Sequence, residues 1–189
     1  SARRLDARAP SHFLAASPMI APDAAVTRYA LDVTDDSATV YEAALALNAA
    51  LNRDMRYDAD ATDVGTPLSD AFEARHGVCQ DFSHIMIAGL RQLGIPAAYV
   101  SGYLRTIPPE GTPRLEGADA MHAWVAVWCG AKLGWVEFDP TNDLVIATDH
   151  IVVGYGRDYS DVAPVRGVIR TAGSQTTKQA VDVIPVVDD

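Results

Sequence analysis

Cysteine is scarce in this chain: Cys79 and Cys129 are the two thiols in 189 residues. Two cysteines exclude a disulfide-dense secreted scaffold and cannot alone complete a structural zinc site. Basic charge is short as well. Lys and Arg number 15 against 25 Asp and Glu, a formal net charge of −10. No basic stripe is available for a phosphate backbone or an anionic lipid surface, so neither nucleic acid nor membrane is an expected partner. No apolar run approaches the roughly 18–20 residues that span a bilayer. Internal repeats, low-complexity tracts and a signal-peptide pattern after Ser1-Ala2-Arg3-Arg4 are missing too, which sets a cytoplasmic location as the expectation. What is present is ordinary globular sequence, 49% hydrophobic and 21% charged, with a length that fits one domain rather than two.

Residues 1–37 carry Pro10, Pro18 and Pro22 with little periodicity and are expected to form an irregular N-terminal arm. Residues 38–171 read as the core, and 172–189 as a tail or an edge strand. From about Ala38 to Leu51 the pattern is helical: Ala43, Ala44, Leu47, Ala50 and Leu51 form one apolar stripe at a 3.6-residue period. Asp35, Asp36 and Ser37 offer acceptors for its first amides. A second short helix is expected from Thr66-Pro67, stopped by Gly77. The third is the best defined, with Phe82, Ile85, Met86, Gly89, Leu90 and Leu93 on one buried face, Gly94 as a left-handed cap and Pro96 forbidding continuation.

After Pro96 the pattern changes to strands: Ala97–Arg105, Met121–Cys129, Leu133–Asp139, Ile151–Gly156 and Val165–Thr171. Between the first two, residues 106–120 are rich in Pro and Gly and read as a loop long enough to serve as a lid. Helices first and strands later, without βαβ alternation, predict an α+β domain with a mainly antiparallel sheet.

Cys79 falls where the third helix begins. There the helix dipole and unpaired amides favour an anion, which lowers a thiol's pKa, and the same amides can receive a developing oxyanion. Taken alone, Cys79 reads rather as a small buried core cysteine. His122 and Asp139 add to the case. Their strands flank Gly130-Ala131, a dipeptide compatible with a tight hairpin loop. A hairpin symmetric about it sets Trp128 opposite Leu133, Trp124 opposite Glu137, and His122 opposite Asp139, with Cβ atoms about 4.5–5.5 Å apart. A one-residue slip would turn His122 to the other face. An Asp orienting a His, with a Cys at a helix N-terminus, is the arrangement of a Cys-His-Asp acyl-transfer enzyme. A satisfied polar pair at the sheet margin is the competing reading of His122 and Asp139.

These residues also carry a resemblance. Gly77-Val78-Cys79-Gln80-Asp81-Phe82-Ser83-His84, Gly94-Ile95-Pro96-Ala97-Ala98-Tyr99-Val100-Ser101-Gly102-Tyr103, Met121-His122-Ala123-Trp124-Val125, Trp135-Val136-Glu137-Phe138-Asp139-Pro140-Thr141-Asn142-Asp143, and the segment from Gly156 to Gly167 resemble five ordered blocks of the bacterial transglutaminase-like superfamily. The resemblance runs from about Met55 to Gly167. It implies a papain-like α+β core, the nucleophile opening a central helix packed on an antiparallel sheet, with Cys79, His122 and Asp139 as the catalytic triad. The implied partner is a peptide or protein amide, with an amine acceptor in the cross-linking variant.

Departures from the family matter. Many bacterial members carry a β-rich N-terminal domain, and residues 1–54 are too short and irregular to be one. The animal cross-linking enzymes place a Trp in the oxyanion site before the nucleophile, whereas Trp124, Trp128 and Trp135 all follow Cys79. The backbone amide of Cys79, with Tyr57 as a second donor, is the substitute expected here, and Trp124 is a candidate substrate contact. No Asp-x-[Asp/Asn]-x-[Asp/Asn]-Gly calcium loop occurs, so no required metal and no cofactor are expected.

Among the remaining polar residues, Asp81 reads as a structural carboxylate in the first helical turn and His84 as a core or surface histidine. Cys129 sits at the hairpin tip, about seven residues from His122, which at about 3.3 Å per residue is too far for a bond to Cys79. The expectation is a cysteine-dependent enzyme that cleaves or exchanges amide bonds through a Cys79 thioester, hydrolysis being preferred to cross-linking. The alternative is a catalytically idle module of the same fold used for protein binding.

Overall fold

A computed structural model describes residues 6–106, 119–164, 167, 172–173 and 180–186. Four helices come first among them: α1 (Ala24–Thr34), α2 (Val40–Asp54), α3 (Leu68–Ala74) and α4 (Cys79–Gln92). Two short strands, β1 (Arg56–Tyr57) and β2 (His76–Gly77), pair in parallel between them. Five strands follow: β3 (Ala97–Leu104), β4 (Ala120–Trp128), β5 (Trp135–Asp139), β6 (Leu144–Val145) and β7 (His150–Gly156). They form one antiparallel sheet in the order β6-β5-β4-β3-β7. This is an α+β architecture with a central helix on a mainly antiparallel sheet, as the sequence pattern led us to expect.

The expected single buried face of the third helix understates its position. In α4 every residue from Gln80 to Arg91 is buried, because β3 and β4 cover one side and α1, α2 and α3 the other. Phe82, Ile85, Met86, Ile87 and Leu90 join Tyr99, Val125 and Phe138 in the main core. Such a helix positions its first residue rigidly, since no rotation escapes contact.

Residues 1–37 are not an irregular arm throughout. Asp23 caps α1 by accepting from the amides of Ala25 and Val26, and Val26 and Ala30 bury against the core. The cap of α2 is Thr39, in a capping box with Glu42, rather than Asp35–Ser37. Chain reversal after α3 occurs at Arg75, with φ 57°, not at Gly77. Gly77 is a glycine for another reason: a Cβ there would collide with the Asp81 carboxylate.

What remains of the arm covers the outer face of the sheet. Phe13 packs with Ala98, Val100, Trp124 and Ala126 and meets Trp135 edge-on at 5.4 Å. Arg91, near the end of α4 and buried, fixes the arm: its guanidinium donates to the carbonyls of Phe13, Ala15, Ala97 and Arg157 and to the Ser17 hydroxyl.

The β4–β5 hairpin departs from the expected register by two residues. Trp128 pairs with Trp135, Val127 with Val136 and Val125 with Phe138, because Gly130 and Gly134, at φ 87° and 70°, build a longer loop. A shift of two preserves the face of every side chain. The expected partners therefore meet diagonally: Trp124 Nε1 donates to Glu137 at 2.7 Å, and His122 reaches Asp139 at the same distance. The expected strand 165–171 and most of the proposed 106–120 lid lie outside the described residues. Residues 180–186 form no strand; their backbone is held through Asp119, whose amide donates to Val181 O and whose carboxylate accepts from the Thr106 and Val183 amides.

Candidate active site

Cys79 and Gln80 occupy the first two positions of α4, whose amides have no acceptor within the helix. Asp81 satisfies the preceding amide, accepting from Val78 N at 2.8 Å and from the Thr62 hydroxyl at 2.6 Å. Its carboxyl pKa is raised by burial against the pull of those bonds. Asp81 therefore shapes the helix start, as its place in the first turn led us to expect.

β5 pairs with β4 only as far as Val125–Phe138, so beside His122 the flank of β4 is unpaired. Strand parity sets His122 on the outer face with Trp124, and the open flank lets the imidazole serve both sides. Outward, its Nε2 donates to Asp139 Oδ2 at 2.7 Å. Inward, it shares with Cys79 a cavity of about 220 Å³ whose other walls include Tyr99, Ser101, Met121 and Tyr159. With Nε2 committed to the carboxylate, Nδ1 is the nitrogen left for the thiol.

Asp139 is fully buried and saturated with donors. Oδ1 accepts from the amides of Thr141 and Asn142 at 3.0 and 3.2 Å. Oδ2 accepts from His122, from Asn142 Nδ2 at 2.7 Å and from His150 Nε2 at 3.1 Å. Burial alone would raise its pKa, but these bonds and the imidazole charge hold it well below the usual carboxylate range. For His122, burial disfavours the imidazolium; bonds to Asp139 and Cys79 and the charges of both outweigh it, and the pKa is pushed up to about 9.

The geometry thus brings together Cys79, His122 and Asp139. The other two expected site residues are placed differently. Trp124 is fully buried behind His122, stacked at 6.1 Å, and its indole N–H is spent on Glu137. It backs the imidazole and does not touch the cavity, because strand alternation gives it the outer face. Tyr57 is 55% exposed and absent from the described lining of the cavity. Its phenol pKa is raised by burial and then by the charge of Cys79, so it stands at the rim.

His150 and Asn142 did not emerge as functional residues from the sequence. Asn142 lies three residues beyond Asp139, where its amide folds back on the carboxylate. His150 is brought in by the β3–β7 pairing, which leaves no local trace. His122, Asp139 and His150 place ligand-type atoms within 4.8 Å of one another, the one such metal-type cluster found among the described residues. The carboxylate uses both imidazole N–H groups, so the cluster is closed by hydrogen bonds.

The Transglutaminase-like superfamily profile matches residues 27–140. The Mycobacterium tuberculosis protein Rv2569c is 46% identical over 140 residues, 72% of this chain and 45% of that protein. ML0607 of Mycobacterium leprae is 41% identical over 128 residues, 67% of this chain and 44% of that protein. Among solved structures, a candidate cysteine protease from Cytophaga hutchinsonii superposes with a TM-score of 0.69 at 29% identity, covering 85% of this chain and 50% of that one. The periplasmic domain of TgpA from Pseudomonas aeruginosa shares the fold, with a TM-score of 0.54, 24% identity, and coverage of 74% and 49%. The chain spans about half the length of the relatives it matches. By that profile match, which covers more than half of its length, the chain belongs to the transglutaminase-like superfamily.

Proposed function

We propose that this chain is a cysteine-dependent acyl-transfer enzyme acting on peptide or protein amides, with Cys79 as nucleophile, His122 as acid–base and Asp139 as its orienter. The observation that carries the reading is one imidazole bonded to a buried carboxylate at Nε2 while sharing a cavity with a thiol at a helix N-terminus.

In this mechanism the Cys79 thiolate attacks the amide carbon and the first amides of α4 receive the oxyanion. His122 gives its proton to the leaving amine as the C–N bond breaks, which leaves a thioester. Water, deprotonated by His122, adds to the thioester and releases the acid and the thiol. An amine in place of water would give a cross-link. Hydrolysis is the preferred outcome, and the likeness to a candidate cysteine protease at 29% identity supports it.

The test is the pH dependence of iodoacetamide alkylation at Cys79 in wild type and in His122→Ala. An ordinary thiol reacts only as pH approaches about 8.5, whereas paired catalytic thiols lie at roughly 3.5–7.5. A wild-type rate that persists below pH ~7 and collapses in the variant is the expected result. Ordinary thiol behaviour in both proteins would overturn the proposal in favour of a binding module. A panel of peptide amides, with and without a fluorescent primary amine, then separates hydrolysis from cross-linking.

A further inference from the structure

Asp139 serves a second histidine. His150 opens β7, and its side chain is 3% exposed. Its ring packs edge-on against Trp124 at 5.2 Å and lies 5.8 Å from the His122 ring. Gly102 of β3 makes the room, since a side chain there would collide with the Trp124 ring and the Ile151 carbonyl. An ionised carboxylate can only accept, so His150 carries its proton on Nε2 and donates it to Oδ2.

On its other side His150 meets a second cavity, of about 550 Å³, with Leu104, Arg105, Asn142, Leu144 and Asp149 also in its walls. Of the residues described there, His150 and Asn142 both line this cavity and bond Asp139. Asp139 nevertheless has no exposed surface. Two side chains are therefore the partition between a large outer cavity and the buried His122–Asp139 pair.

We propose that His150 is a positioning residue for the Cys79–His122–Asp139 site, closing the outer cavity against Asp139 and keeping the carboxylate turned to His122. The inference rests on the acyl-transfer reading above. Water admitted at Oδ2 would compete for its lone pairs and raise the local dielectric, and both effects weaken the hold on the imidazolium. Titratable and charged groups around the pair are Cys79 from α4, His150 from β7, Arg105 and Asp149 in the outer cavity, and Glu137 beyond Trp124. Arg105 and Asp149 neutralise each other at 2.5 Å, and Glu137 is occupied by Trp124 and Tyr155. What His150 controls is thus access of water, together with one donor bond.

The experiment compares the Cys79 alkylation rate at pH 6 and, at pH 10 where the ring is neutral, the ¹⁵N tautomer signature of His122 in wild type, His150→Ala, His150→Phe and His150→Gln. His150→Ala opens the partition, and the rate at pH 6 falls about tenfold, equivalent to one pKa unit. Its His122 signal changes from a fixed Nε2–H form to a mixture. Added imidazole enters the vacated space and restores the rate. His150→Gln, still able to donate an N–H, retains most of the rate; His150→Phe, which seals without donating, falls between Gln and Ala. Wild-type rate and tautomer in all three variants overturn the inference, and so does a loss in His150→Ala that imidazole cannot restore. If His150→Ala does not fold, His150→Ser, which also opens the partition, takes its place, and a wild-type rate and tautomer there overturn the inference. A wild-type thiol indifferent to His122→Ala would sink the triad itself, an outcome separable from these.

Discussion

Two histidines, His84 and His122, are almost equally buried, at 3% and 9% exposure, and burial pushes both toward the neutral form. Their outcomes are opposite. His84 lies on α4 between Tyr99, at 5.2 Å, and the Tyr159 amide, which donates to its Nε2. Among the described residues no carboxylate bonds it, and its pKa falls to about 4. His122 has Asp139 and Cys79, and its pKa rises to about 9. Burial alone favours the neutral imidazole; a buried carboxylate partner reverses that preference and favours the imidazolium.

Asp139→Asn should erase the difference most completely. The imidazolium loses its counter-charge and the neutral amide no longer fixes the tautomer. Turnover at neutral pH is expected to fall by about 10³–10⁴-fold, measured on whichever peptide amide the substrate panel identifies. A loss smaller than tenfold would mean that Asp139 is not the orienting group.

Leu90→Ala works on stability instead. Leu90 is fully buried in the main core, and its truncation should cost about 2–5 kcal/mol in urea unfolding. The NMR titration of neither histidine should move, because the cavity it leaves lies in apolar packing away from both rings. A shift in the His122 titration would show that the core and the site are coupled.

The pH dependence of stability gives the finest comparison. The folded value of His84, about 4, lies below the ordinary 6.5, so its contribution is complete above pH 6.5 and is lost as pH falls toward 4. The folded value of His122, about 9, lies above 6.5, so its contribution is complete below pH 6.5 and is lost as pH rises through 9. Each amounts to about 3 kcal/mol at most, and together they set a maximum near pH 6.5. Unfolding of His84→Gln across this range should show a flatter acid side and the same alkaline side. An unchanged acid side would place the acid sensitivity elsewhere.

Much of the site was legible because its signals are local. Cys79 is marked by the start of a periodic helix, and the His122–Asp139 pairing by a hairpin of short loop. The hairpin error was two residues, caused by a second glycine, Gly134, that extends the turn; the even shift preserved the chemistry. α1 was missed although Asp23 and the Val26, Tyr29, Ala30, Val33 stripe announce it, since Pro18 and Pro22 made the whole segment read as irregular. His150 left no such mark. Its place depends on β7 returning beside β3, a contact between residues 46 positions apart at Leu104 and His150, and sequence spacing does not reveal such a return. The covering of the outer face by Phe13 is hidden for the same reason.

Arg91 bears on the order in which this molecule assembles. A guanidinium is strongly hydrated in the open chain, and here its bonded acceptors are four carbonyls and one hydroxyl drawn from residues 13–17, 97 and 157. No one of those segments alone replaces the lost water, so dehydration of Arg91 waits until the arm, the start of β3 and the chain beyond β7 have all arrived. Arg91 belongs to the helix that Cys79 opens. The end of the helix that carries Cys79 is therefore fixed only when all three segments are in place, largely through contacts of long sequence separation.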